Sequence, residues 1–138
     1  SAVDFSRLEN GVTISSVPLN KSRNGEYLMV NPNQIVLPIQ SIQIQYDYPL
    51  CQPVIIEHQS RNSEGFTRLE LFQHIRNDYY RIYEEERRAV GDTPTCPNSI
   101  NRAYSDGPYG IYGHYLQNLE VSALQQIHPH LYVPQIES

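Results

Sequence analysis

Thr67-Arg68-Leu69-Glu70-Leu71-Phe72-Gln73-His74-Ile75-Arg76-Asn77-Asp78-Tyr79-Tyr80-Arg81-Ile82-Tyr83-Glu84-Glu85-Glu86-Arg87-Arg88-Ala89-Val90-Gly91 is the stretch on which the fold turns. Leu71, Phe72, Ile75, Tyr79, Ile82, Tyr83 and then Ala89 or Val90 recur at three- and four-residue steps, which on a helix form one apolar stripe. Thr67 to Glu70 has the form of a capping box: the Thr hydroxyl accepts from the backbone three residues on, and the Glu carboxylate returns to the cap amide. Phe66 and Leu71 stand where a hydrophobic staple closes over that cap. At the other end Arg87 and Arg88 complement the helix dipole, and Gly91 follows as a C-terminal cap. These signals agree on one amphipathic helix over about 67–90.

Outside it the pattern changes to short apolar runs between turn signals. Asn10-Gly11 and Asn24-Gly25 mark tight turns before Val12-Thr13-Ile14 and Tyr27-Leu28-Met29-Val30. Pro32, Pro38, Pro49 and Pro53 cut the next segment into short pieces, because proline cannot donate to a sheet ladder. In Ser41 to Tyr48 the side chains of Ile42, Ile44, Tyr46 and Tyr48 alternate with Gln43, Gln45 and Asp47, the period-two pattern of a half-buried strand. Gln52 to His58 reads as a second strand, and Asp92 to Pro108 as a long loop. Leu119, Val121, Ala123 and Ile127 fit a strand closed by a His128-Pro129-His130 turn, while Leu116, Leu119, Ala123 and Ile127 also fit a short helix; the pattern leaves both open. The expectation is an α+β fold, one long helix packed against a mainly antiparallel sheet of short strands. Ser1 to Asn10 forms an N-terminal arm, ordered if it docks, and residues 11–138 form a single domain.

Composition narrows the function classes. The chain has 138 residues, a formal net charge of -5, one lysine at Lys21, eleven tyrosines and no tryptophan. A diffuse positive field that would draw a phosphate backbone is therefore missing, which argues against nucleic acid. Glu84, Glu85 and Glu86 sit among Arg81, Arg87 and Arg88 and read as a solvated face with ion pairs such as Glu84 with Arg88, worth about 0.3 to 0.5 kcal/mol each. No apolar run approaches the roughly 20 residues needed to span a bilayer. Cys51 and Cys96 belong to no CxxC pair and read as ordinary thiols. Tyrosine joins an apolar ring to a polar tip, so a Tyr-rich, Lys-poor surface favours protein partners.

Signatures of phosphate binding, dinucleotide binding, serine nucleophile elbows, zinc proteases and calcium loops are missing. His74 has Glu70 and Asp78 at i,i+4 and reads as an exposed histidine with a screened partner. His128 and His130 offer two nitrogens but no fixed third ligand, so neither a metal nor a cofactor is expected. Asn101 to Tyr115 is the most unusual stretch, with glycines at 107, 110 and 113 and tyrosines at 104, 109, 112 and 115. It reads either as a loop packed on its own side chains or as a binding loop. Its candidate partner-binding residues are Arg102, Asp106, Tyr109, Tyr112, His114 and Tyr115. An enzymatic alternative, a small hydrolase, would use His114 with Asp106 as a general-base pair beside Ser105 or Arg102.

Two stretches carry a family resemblance: Gly65 through Glu86, with its capped helix and Tyr-rich acidic end, and Asn101-Arg102 with Asp106-Gly107-Pro108-Tyr109-Gly110-Ile111-Tyr112-Gly113-His114. Together they resemble a family of uncharacterised proteins of giant DNA viruses of the marseillevirus type. Tyr112 stands where that family has tryptophan, and Tyr115 stands where it has an acid. The resemblance covers about half the chain and brings no catalytic residues. It implies a non-enzymatic virion-associated or host-interaction protein, found in the virion and the host cytoplasm. Composition adds the expectation of a homo-oligomer, since symmetric dimers are the commonest soluble assembly.

Overall fold

A computed structural model describes all 138 residues, Ser1 to Ser138. The helix α1 runs from Arg68 to Val90; the Thr67 hydroxyl accepts from the Glu70 amide at 3.1 Å, and the Gly91 amide donates to the Arg87 carbonyl at 2.7 Å. Leu71, Phe72, Ile75, Tyr79 and Ile82 of the stripe are buried, and Phe66 is fully buried beside the cap. The stripe ends earlier than its pattern suggests: Ala89 and Val90 are exposed.

The strands are β1 (Ala2–Asp4), β2 (Arg7–Glu9), β3 (Val12–Ile14), β4 (Val17–Pro18), β5 (Leu28–Met29), β6 (Ile35–Leu37), β7 (Ser41–Tyr46), β8 (Val54–Gln59), β9 (Phe66–Thr67), β10 (Glu120–His128) and β11 (Leu131–Glu137). The main sheet has the order β1-β10-β11-β7-β8, with β4 also against β10. Every pairing in it is antiparallel except β11 with β7. The fold is therefore α+β, one helix on a mainly antiparallel sheet. Small sheets of β3-β2-β5 and β6-β9 flank it. The turn at Asn10-Gly11, both with positive φ, closes the β2-β3 hairpin.

The ambiguous tail resolves as the strand β10, preceded only by a 3-10 turn at Leu116–Asn118, so the helix reading through Ala123 and Ile127 does not hold. β10 lies inside the sheet, between β11 on one side and β1 and β4 on the other, and its Val121 and Leu124 turn inward. The first ten residues dock on this strand and on the small sheet: Val3 pairs with Leu124, Arg7 is buried, and Phe5 lies 6.4 Å from Phe72 of the helix. Arg7 donates to Glu9 and Glu120, each at 2.8 Å, and so joins β2 to β10. Burial pushes the Glu120 carboxyl up, but the Ser16 hydroxyl and the Arg7 guanidinium outweigh it and hold it below the usual range. The helix covers one face of the sheet, with Tyr79 edge-on to Tyr46 at 5.0 Å. No helix is long and apolar enough to cross a membrane.

The capping box is only half formed. Thr67 lies in β9, paired with Ile35, so its backbone is already engaged when the helix begins. The Glu70 carboxylate, almost fully buried, instead accepts from the Arg61 amide at 2.9 Å and faces His74 Nε2 at 3.0 Å. Replacing Thr67 by Ala should cost about 1 kcal/mol, the loss of one cap acceptor. Glu70→Ala should cost more, roughly 2 to 3 kcal/mol, because it strands a shielded amide and an imidazole. Ile75→Ala should cost about 2 to 5 kcal/mol as a core truncation. Denaturant titration of the three variants checks this order.

Candidate functional site

The Asn101 to Tyr115 loop is built around a carboxylate from the helix. Glu86 is fully buried, and its two oxygens accept from the Ser105 hydroxyl at 2.6 Å and from the Gly107 and Tyr109 amides at 2.9 Å each. The Ile111 amide adds a longer contact at 3.4 Å. Burial pushes this carboxyl up, but the Ser105 hydroxyl and the loop amides outweigh it and hold it below the usual carboxylate range. The expectation that Glu86 belongs to a solvated acidic face is thereby corrected; Glu84 alone pairs with Arg87 and Arg88, at 2.5 and 3.3 Å. Gly107 is required by this approach, since a Cβ there would lie 2.5 Å from the Glu86 carboxyl.

Other helix side chains complete the hold. The Tyr83 hydroxyl donates to the His114 carbonyl at 2.9 Å, and Tyr79 donates to the Tyr48 carbonyl at 2.7 Å. Tyr109 donates to Glu85. Ile111 is fully buried and bridges to Leu50, so the loop contributes a side chain to the core. The stretch is thus a packed loop held by helix side chains and by Ile111 in the core, with its turns at Gly110 and Gly113 in the left-handed region.

The six candidate residues do not form one site. Arg102 is buried; it donates to the Ile111 carbonyl at 2.9 Å and to Ser105 at 3.0 Å, and lies over the Tyr83 ring. Asp106 is exposed and accepts from Tyr104. His114 Nε2 meets the Tyr48 hydroxyl at 2.5 Å, and the Tyr112 ring stands edge-on to Tyr48. Tyr115 bonds to Thr95. Arg102 and Tyr115 line an open cleft of about 460 Å³, while His114 lines another of about 480 Å³. His114 and Asp106 therefore make no acid-base pair, and Ser105 is held by Glu86 and Arg102. No group of three or more His, Cys, Asp or Glu side chains converges as metal ligands, and Cys51 and Cys96 are free thiols.

A second polar cluster lies where the helix meets β8. His58 and His74 stack with ring centroids 4.1 Å apart; His58 meets Asp78 at 2.6 Å, and Asp78 also accepts from the buried Tyr46 hydroxyl at 2.5 Å. His74 is half-buried, which corrects the expectation of an exposed histidine. Burial lowers its basicity, and Glu70 offsets this only in part. The signal was in the stripe itself: Asp78 and Glu86 occupy helical positions three and four residues from Ile75 and Ile82, where the pattern calls for core.

His74 and Glu86 each contribute to the acid response. A histidine held below its ordinary value near 6.5 resists protonation when folded, so stability is full above that pH and declines as the pH falls through it. A depressed carboxyl acts lower down: its stabilisation is present above about 4.3 and is lost as the pH falls from there through the folded-state value. Glu86→Gln turns a donor toward the loop's donors and should cost about 3 kcal/mol at pH 7, with roughly 1 to 3 per stranded group. It should also flatten the lower acid step, which denaturation between pH 3 and pH 8 measures. Compared with known proteins, the chain matches no protein-family model, no curated protein and no solved structure.

Proposed function

We propose that this chain is a non-enzymatic interaction protein, a virion-associated or host-binding component of a giant DNA virus, that works as a homo-oligomer. The observation that carries this reading is the division of labour in the clasped loop. Its Arg102, Ser105 and His114 side chains are engaged in the fold, while Tyr104, 53% exposed, and Tyr112, 38% exposed, face outward beside Asp106, next to Ile100, 86% exposed, which precedes the loop. Aromatic rings of this kind supply large contact area at low entropic cost, which suits a protein partner.

The open face of the main sheet supports self-association. Opposite the helix, Gln125 pairs with Val133 and Gln45 with Ile55, so aliphatic and amide side chains meet across four neighbouring strands, with Glu57 beside Gln43 as the charge at the β8 edge. Ile55 is half exposed on the edge strand β8, whose outer backbone has no partner strand. Such a surface can meet its own copy about a twofold axis centred on Val133, away from Glu57 at the β8 edge.

Light scattering tests this directly. The wild-type chain should have a mass of at least twice 15.9 kDa at micromolar concentration, and Val133→Glu should shift it to the monomer without unfolding it. A wild-type monomer at high concentration would remove the oligomer from the proposal. Absence of the chain from purified virions, together with no viral or host protein retained from infected cells, would remove the rest.

A further inference from the structure

Strand β8 ends the main sheet, paired with β7 alone and in an unbroken register from Gln59 opposite Ser41 to Val54 opposite Tyr46. One bond fixes which of its backbone groups face outward. The Gln43 amide donates to the His130 carbonyl at 2.7 Å, on the β11 side, so Ile42, Ile44 and Tyr46 are the residues of β7 that bond to β8. Their partners His58, Ile56 and Val54 are thereby engaged, and the amides and carbonyls of Ile55, Glu57 and Gln59 point out of the sheet. No other backbone group bonds to them. Glu57 is exposed and forms no ion pair; its carboxylate accepts only from the Gln59 side-chain amide, at 3.4 Å. The sheet's other edge, β1, has three residues against six in β8.

We propose that β8 receives an extended segment of a different protein as an added antiparallel strand, with arginine or lysine opposite Glu57 and aliphatic side chains opposite Ile55 and Ile56. Each outward residue can exchange a pair of hydrogen bonds with the residue across from it. Directly opposed side chains on one face interact, so a cation across from Glu57 gains what an acid there would lose. Ile55 is half exposed on the open face and Ile56 half-buried on the helix side, so both faces of the added strand meet apolar surface. A second copy of β8 fits less well. Twofold pairing through the outward groups must be centred on one residue of the strand. Centred on Glu57 it opposes two glutamates; centred on Ile56 it sets Gln59 against Pro53, which has no amide hydrogen; centred on His58 it sets Ile55 against Arg61, past the strand's end. Glu57 and Pro53 thus guard the edge against its own copy and leave it open to a partner of opposite charge. The inference rests on the reading of the chain as a binding protein and not on the twofold at Val133. A wild-type monomer would leave it standing, and its own failure would leave the twofold standing.

NMR of the intact protein tests it, by titration with a blocked peptide of threonine, threonine, arginine, valine, valine and threonine in that order. The amides of Ile55, Glu57 and Gln59 should shift saturably and exchange more slowly with solvent, while those of Val54, Ile56 and His58, already bonded to β7, move least. The same peptide with glutamate for arginine should bind roughly three- to tenfold more weakly at low salt, and methylation of the arginine's backbone nitrogen should abolish binding. Glu57→Lys should reverse the preference between the two peptides. Ile55→Pro removes only an outward amide and should weaken binding of both with the β7 pairing intact. Should either variant misfold, the comparison of peptides on the wild-type protein decides the matter. Edge amides unmoved at millimolar peptide overturn the proposal. Equal binding of the arginine and glutamate peptides overturns the choice of a basic partner, and edge shifts that appear on concentrating the protein alone assign the edge to a second copy instead.

Discussion

The buried carboxylate of Glu86 is the constraint on which the second half of the molecule depends. A helix can hold a loop of fifteen residues only if something satisfies the backbone groups that the loop's turns expose. Glu86 does this with two oxygens, accepting from Ser105, Gly107 and Tyr109. Ionisation strengthens each of those bonds and charges a desolvation cost against them, and the net result is a carboxyl that stays below its ordinary range. Arg102 reaches the same centre through the Ser105 hydroxyl, so the buried charge has a buried counterpart one residue removed. Ile111 can then enter the core beside Leu50, which ties the loop to the sheet as well as to the helix.

The helix therefore works along its length in two ways. Its first half buries Leu71, Phe72 and Ile75 in the core, with Phe72 beside Phe5, while its second half, Tyr79 to Glu86, turns phenol and carboxyl groups toward loops. This explains why a chain rich in tyrosine keeps so many of them on one side: Tyr46, Tyr79 and Tyr83 combine an apolar ring in the core with a hydroxyl that finds a fixed acceptor. Burial raises Tyr83 and the other two far above the usual phenol range, so all three act as neutral donors.

The sequence made the helix legible because its signals are local: Thr67 caps it, the stripe fixes its buried side, and Gly91 ends it. Period two at Ser41 to Tyr46 was equally legible, and the hairpin over His128 to His130 followed from proline between two apolar runs. The docking of Val3 and Phe5 was not, since nothing within ten polar-rich residues says which distant strand they meet. The role of Glu86 escaped for a different reason. An acid beside other charges reads as solvated, and only its place on the apolar stripe hints that the fold has built a partner for it, while Glu70 was legible as a capping-box acid but serves Arg61 and His74 instead. Within the loop, residue types identified Arg102 and His114 as polar groups of interest, but neighbours in sequence were sent to different partners, which spacing alone does not encode.

Native-state hydrogen exchange at the Gly107 and Tyr109 amides tests the central claim most directly. If Glu86 holds the loop, both amides are protected to nearly the same degree at pH 7, and both lose protection together in the Glu86→Gln variant while the amides of Leu71 to Ile82 keep theirs. Protection of Gly107 and Tyr109 that is unchanged in the variant would contradict the account, since the loop would then be held by its own packing and the buried carboxylate would be incidental.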